Sequence, residues 1–401
     1  MKKGTFYGWT IVAASFIVLC ITFGVQQTFS VYFKPILSEF GWDRTQISLA
    51  LSISMIVSAC LLPVIGKLVT KYGPKKIILV SIPIVGLSTI LFSMISTLWQ
   101  YYLLYALGGL GFSGAGLIPN TVLVSKWFQK KRATAMSIFM SGYPLSQIVL
   151  TPFSTYLVSV YGWRTSYVIY GSLFFAIALP IVMILVKDDP KELGLEIDGE
   201  PTLNQPKVVK TSTEVSIVDV LKTRSFQLLI AVYFLCGFTD IPVTTHLVPF
   251  VLDTGFSVTT ASNVLSLIGV FILFGTIISG PISDKFGRKN LITSMYIIRA
   301  FSILLLLGTP NLIRLYAFTI PFGLVYFSMV PIIGAWLSDS YGQLSLGKLN
   351  GIIALIHSSA ASIGAIFLGF TYDLQESYYW GLVLFIILSC IASLFAYFMK
   401  E

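Results

Sequence analysis

Four ionisable side chains stand inside long apolar runs of this 401-residue sequence: Asp240 and His246 in FTDIPVTTHLVPF, Arg299 in MYIIRAFSIL and His357 in ALIHSSAAS. A central Asp or Arg costs about 2.5–3.5 kcal/mol on bilayer-insertion scales, so each is a functional-site candidate by default. By helical rise Asp240 lies ~21 Å and Arg299 ~14 Å into its run. A long arginine stem bridges that difference, so the two are expected either to neutralise one another as a structural pair or to serve proton coupling or gating. Asp240 and His246 are six residues apart, some 240° around a helix at about 100° per residue. With Asp240 turned toward Arg299, His246 can face inward as a titratable donor to an anion. Proline frees an upstream carbonyl, so PVTTHLVP is expected to be an irregular outer gate. His357, beside Ser358, Ala361 and Ser362, is expected to pack.

Neutral polar residues recur at helical spacing. Thr22, Gln26 and Ser30 follow steps of four, as do Tyr143, Gln147 and Thr151, so each set makes one stripe. An unpaired amide in hydrocarbon costs several kcal/mol, so such stripes should face protein or water. Gln26, Tyr143 and Gln147 are therefore candidate solute-lining residues. Asn120, on one face with Gly109, Ser113 and Gly116, offers donors and acceptors for a small polar molecule, and Tyr326, one turn after Phe322, an aromatic wall with a hydroxyl tip. The two histidines are distant and Cys20, Cys60, Cys236 and Cys390 are isolated within apolar stretches. No metal-ligand cluster and no phosphate-binding loop are legible, so neither a metal, a cofactor nor enzyme chemistry is expected.

The chain that must position these groups is 56% hydrophobic and 11% charged, against about 25% charged in soluble proteins. It reads as an all-α membrane protein. About 20 apolar residues cross a bilayer, and twelve such spans are expected at 8–32, 46–66, 77–96, 101–124, 134–159, 166–186, 226–250, 260–282, 290–309, 313–337, 349–371 and 380–398. The net charge of +9 suggests no nucleic-acid partner, because 21 of the 26 Lys and Arg fall on one side of this threading. That side is cytoplasmic by the positive-inside rule, which places both termini there in a multi-pass protein of the cell membrane. The polar stretch 187–225 separates an N-terminal six-helix bundle (1–190) from a C-terminal one (225–401), with 191–224 as a cytoplasmic linker.

Displacing the sequence by 214 positions lays GKLVTKYGPKK on GPISDKFGRKN, so that Gly66, Lys71, Gly73 and Lys75 meet Gly280, Lys285, Gly287 and Lys289. Glycine suits the sharp turn this loop needs, and Asp284 can hydrogen-bond near a helix end. Two related six-helix halves suit a transporter with its site at their interface near the midplane.

The loop GPISDKFGRK, with Asp284 and Arg288, resembles the signature of the major facilitator superfamily, and GKLVTKYGPKK is a degenerate copy. FKPILSEFGWDRTQIS after the first span, KWFQKKRATAMS after the fourth, GWR at 162–164 and KDDPKELGLEIDG after the sixth resemble its monocarboxylate transporter and oxalate/formate antiporter branch. The resemblance implies two pseudo-symmetric bundles rocking about a central cavity as a monomer, a small organic acid as solute and protons as coupling ion. That branch commonly carries an arginine in the eighth span, where GVFILFGTIISGP has only Thr276 and Ser279, and animal members a lysine in the first, where Gln26 and Gln27 stand. An exporter of amphipathic or cationic compounds, with Asp240 as cation partner, and a non-transporting membrane sensor are the rival expectations.

Overall fold

The structure, a computed structural model, describes residues 6–129, 131–197, 217–308, 311–341 and 343–399. The side chains at 133, 217–218, 284, 334–335, 338–339 and 343–348 lie outside the described set, as do residues 198–216 in the middle of the expected linker. The part assigned to Asp284 therefore falls outside what is described.

Every regular element among the described residues is helical, in the order α1 (Gly8–Gln27), α2 (Phe29–Phe40), α3 (Arg44–Tyr72), α4 (Pro74–Leu91), α5 (Leu98–Ala115), α6 (Leu117–Trp127), α7 (Arg132–Met140), α8 (Gly142–Leu173), α9 (Leu179–Leu185), α10 (Ile217–Lys222), α11 (Arg224–Asp253), α12 (Val258–Phe286), α13 (Arg288–Leu306), α14 (Leu312–Tyr326), α15 (Met329–Tyr341), α16 (Gln343–Gln375) and α17 (Tyr379–Phe398), with short 3₁₀ and π turns between some of them. Eleven helical runs are long and apolar enough to cross a membrane. One of them, Thr134–Leu185, has 52 residues, which as one rod would be ~78 Å long against a hydrocarbon core of ~30 Å. It turns back at Gly162, whose φ of 79° and ψ of 163° belong to a region that only glycine visits cheaply. That turn makes the twelfth crossing.

Two local expectations change. The first span does not stop at 32: after a break at Thr28, α2 continues to Phe40, and Lys34, which ends the apolar count, is paired with Asp253 at 2.5 Å. PVTTHLVP is not irregular, for α11 runs through both Pro242 and Pro249. The Thr244 and Thr245 hydroxyls bond back to the Ile241 carbonyl within the same turn, so polar groups beside the prolines are satisfied inside the helix.

The chain divides into two compact units, Met1–Thr28 with Val57–Ser146 and Tyr156–Lys210, and Phe29–Ile56 with Gln147–Thr155 and Thr211–Glu401. In the first, α4 packs along α5, and α1 along α7 and α6. In the second, α11 packs on α16 and α17, α13 on α17 and α14, and α12 on α14. Phe226, Tyr296, Trp336 and Leu349 form part of the second unit's apolar core.

The internal repeat survives in backbone and side chains. Gly73 adopts φ 88° and ψ 150°, and Gly287 φ 83° and ψ 144°. Lys75 Nζ donates to the Met183 carbonyl (3.2 Å) in the first unit, and Lys289 Nζ lies 4.8 Å from the Tyr397 ring in the second. Met183 and Tyr397 are again 214 positions apart. A Cβ on Gly66 or Gly280 would meet nothing within 4 Å, so the turn is made at Gly73 and Gly287. Gly73→Ala and Gly287→Ala are each expected to destabilise the protein by about 1–3 kcal/mol through backbone strain. Gly66→Ala and Gly280→Ala should leave the melting temperature in detergent unchanged, and equal melting of all four variants would refute this assignment.

Candidate functional site

The second unit buries a charge centre where α11, α13 and α16 meet. α11 and α16 approach so closely at Gly237 that a Cβ there would lie 2.2 Å from the His357 carbonyl oxygen. This closeness puts His357 Nε2 3.3 Å from Asp240 Oδ2, so the imidazole does more than pack. Arg299, fully buried on α13, brings Nη2 to 4.0 Å from the same carboxylate oxygen. Its Nη1 lies 3.2 Å from Cys236 Sγ, 3.4 Å from the Cys236 carbonyl and 3.5 Å from Thr239 Oγ1, while Nη2 reaches the Val325 carbonyl at 3.5 Å. Cys236 Sγ is 3.5 Å from Asp240 Oδ2. The Ile241 amide donates to Asp240 Oδ1 (2.6 Å). One carboxylate is thus held between a permanent cation and a titratable ring. Its surroundings are apolar enough that removing one partner exposes the other's full desolvation cost.

The distance in sequence hid a second feature of this centre. Cys236, Asp240 and His357 present ligand atoms that all lie within 4.8 Å of one another. Sequence spacing showed no such cluster because His357 is 117 positions from Asp240.

A second polar network joins the ends of α2, α3, α11 and α16 to Tyr378 at the start of α17. His246 Nε2 lies 3.1 Å from the Ala365 carbonyl and 3.0 Å from Ser48 Oγ, and Nδ1 lies 3.1 Å from the Tyr378 hydroxyl. A carbonyl only accepts, so Nε2 carries the proton and Nδ1 accepts from Tyr378. Burial pushes the Tyr378 phenol above its ordinary range, so it stays a neutral donor. The same hydroxyl receives Arg44 Nη1. Arg44 also pairs through Nη2 with Asp253 (2.6 Å) and lies 3.5 Å over the Tyr372 ring. Asp373 accepts from the amides of Arg44 (3.1 Å) and Thr45 (2.8 Å), capping α3 from another helix, where an anion is favoured. Ser52 and Ser362 exchange hydroxyl-to-carbonyl bonds nearby. Arg44, Asp253 and Tyr378 escaped the sequence reading because they stand at helix ends, where charge and hydroxyls pass as solvated.

The neutral candidates are distributed between the units. In the first, Tyr143 sits edge-on to Phe23 at 4.9 Å, and Gln26 is half-buried one residue before Gln27, whose buried Nε2 lacks a partner. Asn120 spends its amide donors on the carbonyls of Ala115 (2.9 Å) and Gly116 (2.8 Å). It thereby satisfies the break between α5 and α6, and only its Oδ1 is left open. In the second unit Gln147 Nε2 donates to the Leu265 carbonyl (2.8 Å), and Tyr326 lies 3.4 Å from Thr244 Oγ1. Gln147 Oε1, the hydroxyls of Thr151, Ser154 and Thr155 on α8, and those of Ser262 and Ser266 on α12 are buried without partners. Buried polar atoms are normally hydrogen-bonded, so each of these is a candidate position for water or a polar solute.

The branch motifs act as staples. Asp188 of KDDPKELG accepts from the Lys75 amide (2.8 Å) at the start of α4, Trp127 Nε1 of KWFQKKR donates to the Lys187 carbonyl (3.0 Å), and Arg164 of GWR reaches the Ser93 and Ile95 carbonyls at 3.5 and 3.4 Å.

Comparison with known proteins identifies the family and the fold. A family model described as Major Facilitator Superfamily matches residues 15–365 and 229–401. An uncharacterised MFS-type transporter, YcxA, of Bacillus subtilis (strain 168) is 25% identical over 380 residues, covering 92% of this chain and 90% of the relative. Monocarboxylate transporter 13 of Bos taurus is 25% identical over 376 residues (93% and 84% of the two chains), and monocarboxylate transporter 2 of Homo sapiens 25% over 390 residues (93% and 81%). Among solved structures, a bacterial homologue of the human lysosomal transporter Spinster, inward-facing and unoccupied, has a TM-score of 0.76 at 16% identity, covering 98% of this chain and 97% of that one.

Proposed function

This chain belongs to the major facilitator superfamily, a family of transporters, and from that premise we propose that it moves a small organic acid, in the first place a monocarboxylate, across the cell membrane by alternating access with protons as coupling ion. The observation that carries the coupling is the Asp240 carboxylate, 3.3 Å from His357 and 4.0 Å from Arg299. Across the shorter contact a proton can pass between two titratable groups, while the guanidinium stays charged. Perturbed ionisable clusters inside a membrane protein are where proton relays reside.

A carboxylate solute is supported by the similarity to monocarboxylate transporters. It is supported also by the Arg44 and Lys34 side chains, which together grip one carboxylate, that of Asp253. Gln147 and the unpartnered hydroxyls on α8 and α12 line the solute's route, with Gln26, Asn120 Oδ1, Tyr143 and Tyr326 as further contacts and His246 as part of the outer closure. The working halves are residues 1–190 and 225–401, joined by 191–224, in a monomer with both termini in the cytoplasm.

Proteoliposomes carrying the purified protein should accumulate labelled lactate, pyruvate or oxalate when an inward pH gradient is imposed, and should stop when a protonophore collapses it. Failure of every acid to accumulate would reject the proposal.

A further inference from the structure

The buried centre on α11 and α16 also has the geometry of a metal site. In tetrahedral zinc sites the metal lies about 2.3 Å from a cysteine sulfur and about 2.0 Å from imidazole nitrogen or carboxylate oxygen. Those lengths and the tetrahedral angle set ligand-to-ligand edges of about 3.5 Å for S···O and about 3.3 Å for O···N. Cys236 Sγ to Asp240 Oδ2 is 3.5 Å, and Asp240 Oδ2 to His357 Nε2 is 3.3 Å. The third edge, between the sulfur and the imidazole, is about 3.5 Å in the same geometry and lies within 4.8 Å here, so an ion would draw the ring and the sulfur together. Cys236 and Asp240 are one turn apart on α11, so both face α16, and the Gly237 approach holds His357 against them.

We infer that Cys236, Asp240 and His357 form a three-ligand site for a borderline-soft divalent ion of the zinc, cobalt or cadmium class, with the fourth position open. The ligand set selects against magnesium and calcium, which take oxygen ligands. Binding forms one metal–sulfur, one metal–nitrogen and one metal–oxygen bond, and both the thiol proton and the proton shared between His357 Nε2 and Asp240 Oδ2 leave to solvent. Arg299 stands behind the site. Its Nη1, 3.2 Å from Cys236 Sγ, stabilises a thiolate and orients it as an outer-shell donor. Its charge opposes that of the ion and keeps affinity moderate, so the site is one of reversible inhibition instead of permanent structure. His357 offers the way in, since its side chain is 22% exposed whereas that of Asp240 is 3% exposed. An ion seated there takes the lone pairs of both groups assigned to proton exchange and so arrests coupling. The binding claim itself does not depend on the transport reading.

The test is a cobalt titration of the full-length protein purified in detergent, in a C20S/C60S/C390S background that leaves Cys236 as the sole thiol. The expected result is a saturable thiolate-to-cobalt charge-transfer band with one equivalent of Co²⁺, reversed by excess Zn²⁺. C236S should abolish the band, and H357Q, altering the most accessible of the three ligands, should weaken Co²⁺ binding at least about tenfold. No band above that of C236S, or the same affinity in H357Q, would overturn the assignment. The titration of the unaltered site decides the matter even where a variant folds poorly. A saturable band in a protein that accumulates no acid under a pH gradient counts against the transport reading alone and leaves the metal site standing.

Discussion

Asp240→Leu is expected to destabilise the protein by about 3–5 kcal/mol because it leaves Arg299 buried without its opposite charge, and Arg299→Leu by less, because His357 stays 3.3 Å from Asp240. Arg299 is fully buried and Asp240 2% exposed, so water cannot enter to compensate. The double variant D240L/R299L should recover most of the loss, since replacing a buried pair by apolar residues is often neutral or better. Thermal unfolding in detergent of the two singles and the double gives the coupling energy directly. Transport then separates a structural pair from a coupling pair. If the carboxylate carries the proton, the double variant folds and exchanges solute at equilibrium yet no longer accumulates it against a pH gradient. Normal accumulation by the double variant would confine Asp240 and Arg299 to a structural role.

The second large effect is expected at Arg44. This residue bonds Asp253 and Tyr378, covers Tyr372 and begins a helix capped by Asp373. Arg44→Ala removes one partner of a buried pair and leaves Tyr378 without its donor. A loss of about 3 kcal/mol from this network corresponds to a shift of about 100-fold in the population that keeps it intact. A cysteine placed at Ser48, fully buried beside His246, should react with an impermeant maleimide up to about 100-fold faster in the Arg44→Ala background. The exchange R44D/D253R should restore part of the protection. Unchanged labelling would show that this network does not hold the outer ends together.

Much of the architecture was legible in advance, for physical reasons. Hydrocarbon demands long apolar runs and internally satisfied backbone, which is why the twelve spans could be counted even where Thr134–Leu185 carries two of them with only the Gly162 turn between. The repeat was legible because its turns need glycine: Gly73 and Gly287 share a conformation that other residues avoid. The expense of burying charge marked Asp240 and Arg299.

What escaped depended on neighbours. His357 and Cys236 read as packing and as a small hydrophobe until α16 brought the imidazole to Asp240. Asn120 read as an open amide, yet its donors close the gap left by a helix break four residues earlier. The prolines of α11 signalled irregularity, but the helix continues through both.

Composition and periodicity determined by themselves that this chain is a bundle of membrane-crossing helices with a few costly polar groups inside, because the free energy of placing each residue in lipid is a property of that residue. Only the tertiary structure decided which of those groups meet. Contacts such as Asp240 with His357, or Arg44 with Asp253, join helices far apart in the chain, and their distances are set by helix packing, to which no local spacing in the sequence corresponds.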